Sequence, residues 1–330
     1  MTEARSTDHI LTGLDGANPL AFLAALGAFR TLTSAWPDRE VRIGWTPSVG
    51  AWRPFLRIEP AVDRETIVET VNASVARTDD LFPPKLRSDS EAAGPHDGKG
   101  VPKWQYKLRF PLAVFAAHAR ANMKAAAWNA RAELDAMAAL ASDAVVDKAD
   151  GIEIAQRTLF DFTAGQQSFI DQFEKLARAV GTEHIRNALF GPWSYTPDPG
   201  VSLRWDPIDE GRQYALLAID PTASRNPIVS VPGANLLAAA GLVFFPVVPG
   251  KNGAEQPGLV RFDSGRAFRW PIWDAPVSLQ TVQALLCLDE LNRENPDRAK
   301  LRSMGIPIVY QSSIVLPSGR YRNFTPAEAV

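Results

Sequence analysis

A chain of 330 residues with 46% hydrophobic and 22% charged side chains carries enough apolar surface for one large core or two ordinary ones, which excludes disorder as its resting condition. Its formal net charge of −2 excludes a globally basic nucleic-acid binder, so any such contact has to be a local patch or a site completed by partners. One cysteine, Cys287, rules out an internal disulfide and, with no His or Cys at ligand spacing, a structural zinc site.

Residues 1–10 have mixed charge and no apolar targeting core, and no run of about 18 apolar residues follows, so a cytoplasmic protein without membrane spans is expected. The first strong element starts at Asn18-Pro19, where Asn can cap a helix and Pro can take its first position. A buried helix over 19–35 is predicted from Leu20, Leu23, Ala24, Ala28 and Phe29, with Leu26 and Leu32 beside them. Alternation over 41–45 and 52–58 predicts two strands joined by a turn at 46–50, and Ile67, Val68, Val71 and Val75 predict a helix over 64–77.

Residues 78–102 mix Pro, Gly, Ser and charge without periodicity, which reads as a mobile loop or the edge between two regions. The segment 103–110 reads as a strand, and an Ala-rich helix at 112–141 and a second at 166–189 make the middle of the chain helical. Beyond Ser202, short apolar runs separated by Pro and Gly, with a helix near 277–294, predict a second sheet. The expected fold class is α+β, with two sheet-bearing regions (1–110 and 191–330) flanking a helical middle segment (111–190).

Catalytic signals are sparse. His9, His96, His118 and His184 are scattered, the glycines of 94–100 are misspaced for a phosphate loop, and no nucleophile elbow or zinc-protease motif occurs. No catalytic residue, metal or cofactor is therefore assigned, and Cys287, inside the apolar run 284–288, reads as a small hydrophobe.

The informative segment is 103–110. As a strand it would place Lys103, Lys107 and Arg109 on one face and Trp104, Tyr106, Leu108 and Phe110 on the other, a basic stripe backed by an aromatic one. Similar basic-aromatic strings stand at 266–270 and 320–324, where Arg320 and Arg322 suit phosphates. The plainer alternative at each is a solvated strand face or an ion-paired surface arginine. Trp193, Trp205, Trp270 and Trp273, in Pro-rich apolar surroundings, read as core or interface anchors.

Taken in order, the blocks 13–30 (GLDGANPLAFLAALGAFR), 162–169 (FTAGQQSF), 202–207 (SLRWDP), 214–221 (YALLAIDP), 231–249 (VPGANLLAAAGLVFFPVVP) and 268–273 (FRWPIW) resemble the shorter Cas8-like subunit of type I-G CRISPR interference systems, formerly called I-U. The resemblance implies a non-catalytic subunit of a Cascade-type ribonucleoprotein. Such a subunit helps recognise the protospacer-adjacent motif and open target double-stranded DNA for a separate nuclease-helicase. Its implied partners are crRNA, target DNA, the backbone and guide-processing subunits and the nuclease-helicase, with guide pairing reading the sequence.

The candidate nucleic-acid contacts are Lys103, Lys107, Arg109, Arg320 and Arg322 for phosphates, and Asn18, Gln166 and Gln167 for base or backbone edges. For Asn18 a helix cap is the competing role, and for the glutamines a capping or solvated one. A stand-alone enzyme with an unfamiliar site and a protein-only scaffold are the rival functions.

Overall fold

The fold is built on a pair of helices that the sequence marks with glycine. The computed structural model describes residues 7–105, 107–125, 128–163, 167–208, 228–251, 253–263, 265–316 and 322–330. Helix α1 (Pro19–Ala35) starts as predicted, with the Asn18 side chain accepting from the Ala21 amide at 3.2 Å and Pro19 in the first turn. Helices α2 (Arg64–Ser74), α3 (Thr78–Leu81), α4 (Pro84–Ala93), α5 (Leu112–Lys124), α6 (Trp128–Leu140), α7 (Phe169–Ala179), α8 (Thr182–Phe190) and α9 (Pro232–Gly241) follow.

Every residue of α9 is buried, and α1 is buried along nearly its whole length. The two lie against each other at backbone distance. A Cβ on Gly27 would stand 1.8 Å from the Leu237 carbonyl oxygen, and one on Gly241 would stand 2.4 Å from that of Leu23. Helix α8 closes on the same group, since a Cβ on Gly233 would meet the His184 carbonyl at 2.2 Å.

Two antiparallel sheets flank the helices. Strands β1 (Thr7–Ile10), β2 (Glu40–Ser48) and β3 (Ala51–Glu59) form one in the order β1-β3-β2. The predicted turn at 46–50 shrinks to Val49 and Gly50, with φ of 51° and 74°, because Thr46 and Pro47 continue pairing with Arg53 and Trp52. The second sheet holds β8 (Leu259–Phe262), β9 (Gly265–Ile272), β10 (Ile308–Val315) and β11 (Asn323–Phe324) in the order β11-β10-β9-β8, with β12 (Glu328–Ala329) also on β10. The chain is thus α+β.

Indole donors tie the layers together. Trp205, Trp270 and Trp273 are buried and donate to the carbonyls of Phe160, Gly16 and Ile43 at 3.0, 2.8 and 2.9 Å, and Trp273 in turn accepts from the Trp45 amide at 3.0 Å. Trp193 is half-buried and donates to the Ala188 carbonyl. One core runs from Leu11 to Phe324, so the stretches 1–110, 111–190 and 191–330 share it.

Several expectations are corrected. Residues 78–93 are the helices α3 and α4 rather than loop, because Leu81, Phe82 and Leu86 bury, with Phe82 against Phe169 and Phe173. Only 94–102 is irregular. The predicted strand at 103–110 is a 3-10 turn, Lys103–Gln105, followed by left-handed Lys107 and Leu108 at φ 58° and 46°. Trp104, Leu108 and Phe110 all bury there, which a straight strand with Lys107 and Arg109 interleaved would also allow; the left-handed pair instead bends the backbone over the core.

The helix predicted to 141 divides into α5 and α6, and the middle region then forms a hairpin of β4 (Ala141–Ala149) and β5 (Ile152–Arg157), so it is not purely helical. The element at 166–189 is likewise two helices, α7 and α8, with Val180 and Gly181 between them. A short hairpin of β6 (Val248–Gly250) and β7 (Gly253–Glu255) precedes β8. The helix near 277–294 is the shorter α10 (Leu279–Leu286), and Cys287 at its end is exposed rather than packed; α11 (Arg298–Ser303) follows. Among the described residues no helix is long and apolar enough to cross a membrane.

The glycine contact sets a clear expectation. Gly27→Ala forces a methyl into the Leu237 carbonyl and should cost about 3 kcal/mol or more, lowering the melting temperature by roughly 5–10 °C. Gly181→Ala, with nothing within 4 Å of the new Cβ, should leave it unchanged, as differential scanning fluorimetry of both variants would read.

Candidate functional site

The end of β5 and the outer corner of the five-stranded sheet bring together cations that are far apart in sequence. After Arg157 the chain turns inward, burying Phe160 and Phe162. Phe162 stacks edge-on against Phe324 of β11 with centroids 4.8 Å apart, and Phe160 meets Phe268 of β9 at 5.3 Å. This aromatic floor holds the ends of β5, β9 and β11 beside one another, and Arg157, Arg266 and Arg322 rise from them.

Arg157 is the hinge of the group. Its Nη1 donates to the Lys107 carbonyl at 2.9 Å, which fixes the left-handed turn, and lies 3.5 Å from Oδ2 of Asp161. Asp161 is almost fully buried; its Oδ1 accepts from the Thr163 amide at 3.0 Å and from the Thr163 hydroxyl. Burial pushes the Asp161 carboxyl above its ordinary range, with Arg157 and the Thr163 bonds opposing.

The remaining cations feel one another. Burial, then Arg157, Arg109 and Arg322, push the Lys107 ammonium below its ordinary value against Asp161. Arg266 is depressed by burial and then by Arg261 and Arg322, with Glu255 opposing. Arg261 and Arg266 are directly opposite partners across β8 and β9, an arrangement of like charges that costs the sheet stability. Among the described residues, none of Lys107, Arg261, Arg266 and Arg322 forms an ion pair with a carboxylate.

Lys103 and Arg109 adjoin this row but share one carboxylate. Both reach Asp150 at the tip of the β4–β5 hairpin, Lys103 Nζ to Oδ1 at 2.9 Å and Arg109 Nη1 to Oδ2 at 2.7 Å. The hydrogen bond from Lys103, then the Arg109 charge, hold the Asp150 carboxyl below its ordinary range despite some burial.

Of the residues proposed from sequence, Lys103, Lys107, Arg109 and Arg322 are therefore gathered on one side of the molecule. Arg320 and Gln166 lie outside the described residues. Gln167 stands one position before Ser168, which caps α7, on the same connection as Phe162. Asn18 takes the capping role weighed for it: its amide accepts from Ala21 and donates to Asp206 at 3.0 Å. It borders a separate groove of about 470 Å³ with Asp15, Arg53, Trp193 and Tyr195, whose hydroxyl donates to buried Asp206 at 2.7 Å.

Arg269, from the same basic-aromatic string as Arg266, faces inward and donates to the Leu291 and Glu294 carbonyls and to Gln311. Sequence reasoning passed over Arg157, Asp150 and Arg261. The Asp150-Gly151 pair between alternating runs signals a hairpin whose far strand ends in Arg157, whereas nothing in the string LVRF marks Arg261. Among the described residues no group of three His, Cys, Asp or Glu side chains is placed to hold a metal ion.

Comparison with protein-family models, with curated proteins and with solved structures finds no match.

Because the folded-state pKa of Asp150 is lowered, its ion pairs contribute stability that is present above the unfolded carboxylate pKa and lost as pH falls through the folded value. Thermal melts should show wild type above Asp150→Asn by about 1–3 °C near pH ~7. The gap should close as pH falls through the lowered folded-state value.

Proposed function

We propose that the chain is a non-catalytic, cytoplasmic subunit of a crRNA-guided interference complex of type I-G, and that the row Lys107, Arg157, Arg322, Arg266 and Arg261 grips nucleic-acid backbone. The ordered motif blocks support the family; the row supports the chemistry. The observation that carries the reading is that these cations converge with a single carboxylate among them, Asp161 on Arg157, while Lys107, Arg322, Arg266 and Arg261 form no ion pair among the described residues, in a chain whose formal net charge is −2. Like charges gathered at a half-buried surface cost the folded state free energy, and a polyanion is the ligand that recovers it.

The residue types suit phosphates better than bases. Arginine presents a planar fork of donors to phosphate oxygens, and a row of such side chains follows a backbone rather than reading base edges. That fits a subunit in which guide pairing supplies sequence, while the protein helps with the protospacer-adjacent motif and with duplex opening for a separate nuclease-helicase. The remainder of the chain, where acidic side chains outnumber basic ones, is then left for the backbone and guide-processing subunits.

Co-expression with the other subunits and a guide RNA tests membership: the chain should co-purify with the ribonucleoprotein, and its failure to do so would remove the family assignment. Charge reversal tests the row. Lys107→Glu combined with Arg322→Glu should weaken binding to a double-stranded DNA roughly 10–100-fold near 0.15 M salt and flatten log K against log salt by about two. Unchanged affinity and slope would mean that the row does not touch the polyanion.

A further inference from the structure

The β4–β5 turn carries a charge that its geometry does not need. Asp150 and Gly151 occupy the two left-handed positions, φ 53° and 81°, of a two-residue hairpin turn. Asn-Gly and Gly-Gly fill those positions as well as Asp-Gly does, so the carboxylate is surplus to the turn. It divides its two oxygens between two cations from opposite ends of one loop, Lys103 at 2.9 Å and Arg109 at 2.7 Å. Two anionic oxygens held by an ammonium and a guanidinium are also what a phosphodiester would offer there.

Pairing of a cation with a carboxylate, as for Lys103 and Arg109, is not a general requirement of this surface. Lys107, in the same loop, and Arg322 beside it stand without a carboxylate partner among the described residues, and the fold tolerates them. The turn that carries Asp150 is at the solvent-facing end of β4 and β5, where Lys148 and Gly151 are exposed and the Asp150 side chain is 23% exposed, so the carboxylate can leave the two cations without disturbing the core.

We infer that Asp150 is an internal stand-in for a nucleic-acid phosphate, masking Lys103 and Arg109 until a polyanion displaces it. The inference rests on the reading of the cationic row given above and adds a selectivity device to it. An isolated phosphate reaching Lys103 and Arg109 merely exchanges one anion for another. A long backbone that already engages Lys107, Arg157 and Arg322 gains two further contacts when it displaces the carboxylate, so the mask discriminates against short or isolated anions.

The test is a salt titration of a fluorescently labelled DNA duplex with the full chain, comparing wild type, Asp150→Asn, Asp150→Gly and Lys103→Ala/Arg109→Ala/Asp150→Asn. Asn and Gly both keep the turn, so folding is preserved, and thermal melts check it. Both single variants should bind about tenfold tighter near 0.1 M salt, with the slope of log K against log salt steeper by about one to two. The triple variant should lose that gain. Equal or weaker binding by Asp150→Asn and Asp150→Gly, with a wild type that binds and is weakened by reversal of Lys107 and Arg322, overturns the mask and leaves the row standing. Absence of binding by every variant overturns both.

Discussion

Two glycines decide how closely the central helices approach, and the rest of the molecule is arranged around that distance. With Gly27 under the Leu237 carbonyl and Gly241 under that of Leu23, α1 and α9 touch backbone to backbone. The aromatic side chains are thereby displaced to the periphery of the pair, where Phe22 packs on Trp45 and Trp270 and Phe29 on Phe244. These rings in turn seat the two sheets, and the far end of the second sheet is where Phe160, Phe162, Phe268 and Phe324 assemble. The cationic row is thus the outermost layer of a chain of contacts that begins at a missing methyl group.

What the sequence disclosed follows from which signals are local. The cap at Asn18, the start at Pro19 and the stripe from Leu20 to Leu32 act within a few residues, and α1 matches its prediction at both ends. The β2–β3 hairpin was legible for the same reason, its alternation surviving into the register of Val41 with Ile58. Segment 78–93 failed because the force that folds it is tertiary: Phe82 has only Leu86 as an apolar partner at helical spacing, and it packs against Phe169 and Phe173 from α7. Segment 103–110 failed in backbone rather than in burial, since Trp104, Leu108 and Phe110 bury in alternation as a strand face would while left-handed Lys107 and Leu108 depart from extended geometry.

The candidate site was legible in its parts and not in its assembly. Lys103, Lys107, Arg109 and Arg322 were visible as basic residues among aromatics, but their meeting depends on Arg157, which reaches across to the Lys107 carbonyl from another strand. No spacing rule links residues 107, 157, 266 and 322. Net charge misleads for a related reason: it sums over carboxylates that are spent elsewhere, such as Glu65 and Glu183 on Arg186, and over Asp161, whose burial favours its neutral form.

The Arg261–Arg266 pair has a consequence beyond attraction. Strand β8 is the outermost strand of its sheet and only four residues long, and one of its cross-strand pairs joins two guanidinium groups that repel. An anion seated between them converts that pair from a wedge into a clasp, so occupancy of the row and closure of this sheet corner become linked equilibria. Amide hydrogen exchange at Val260 and Phe262 therefore becomes a local gauge of whether the corner is filled.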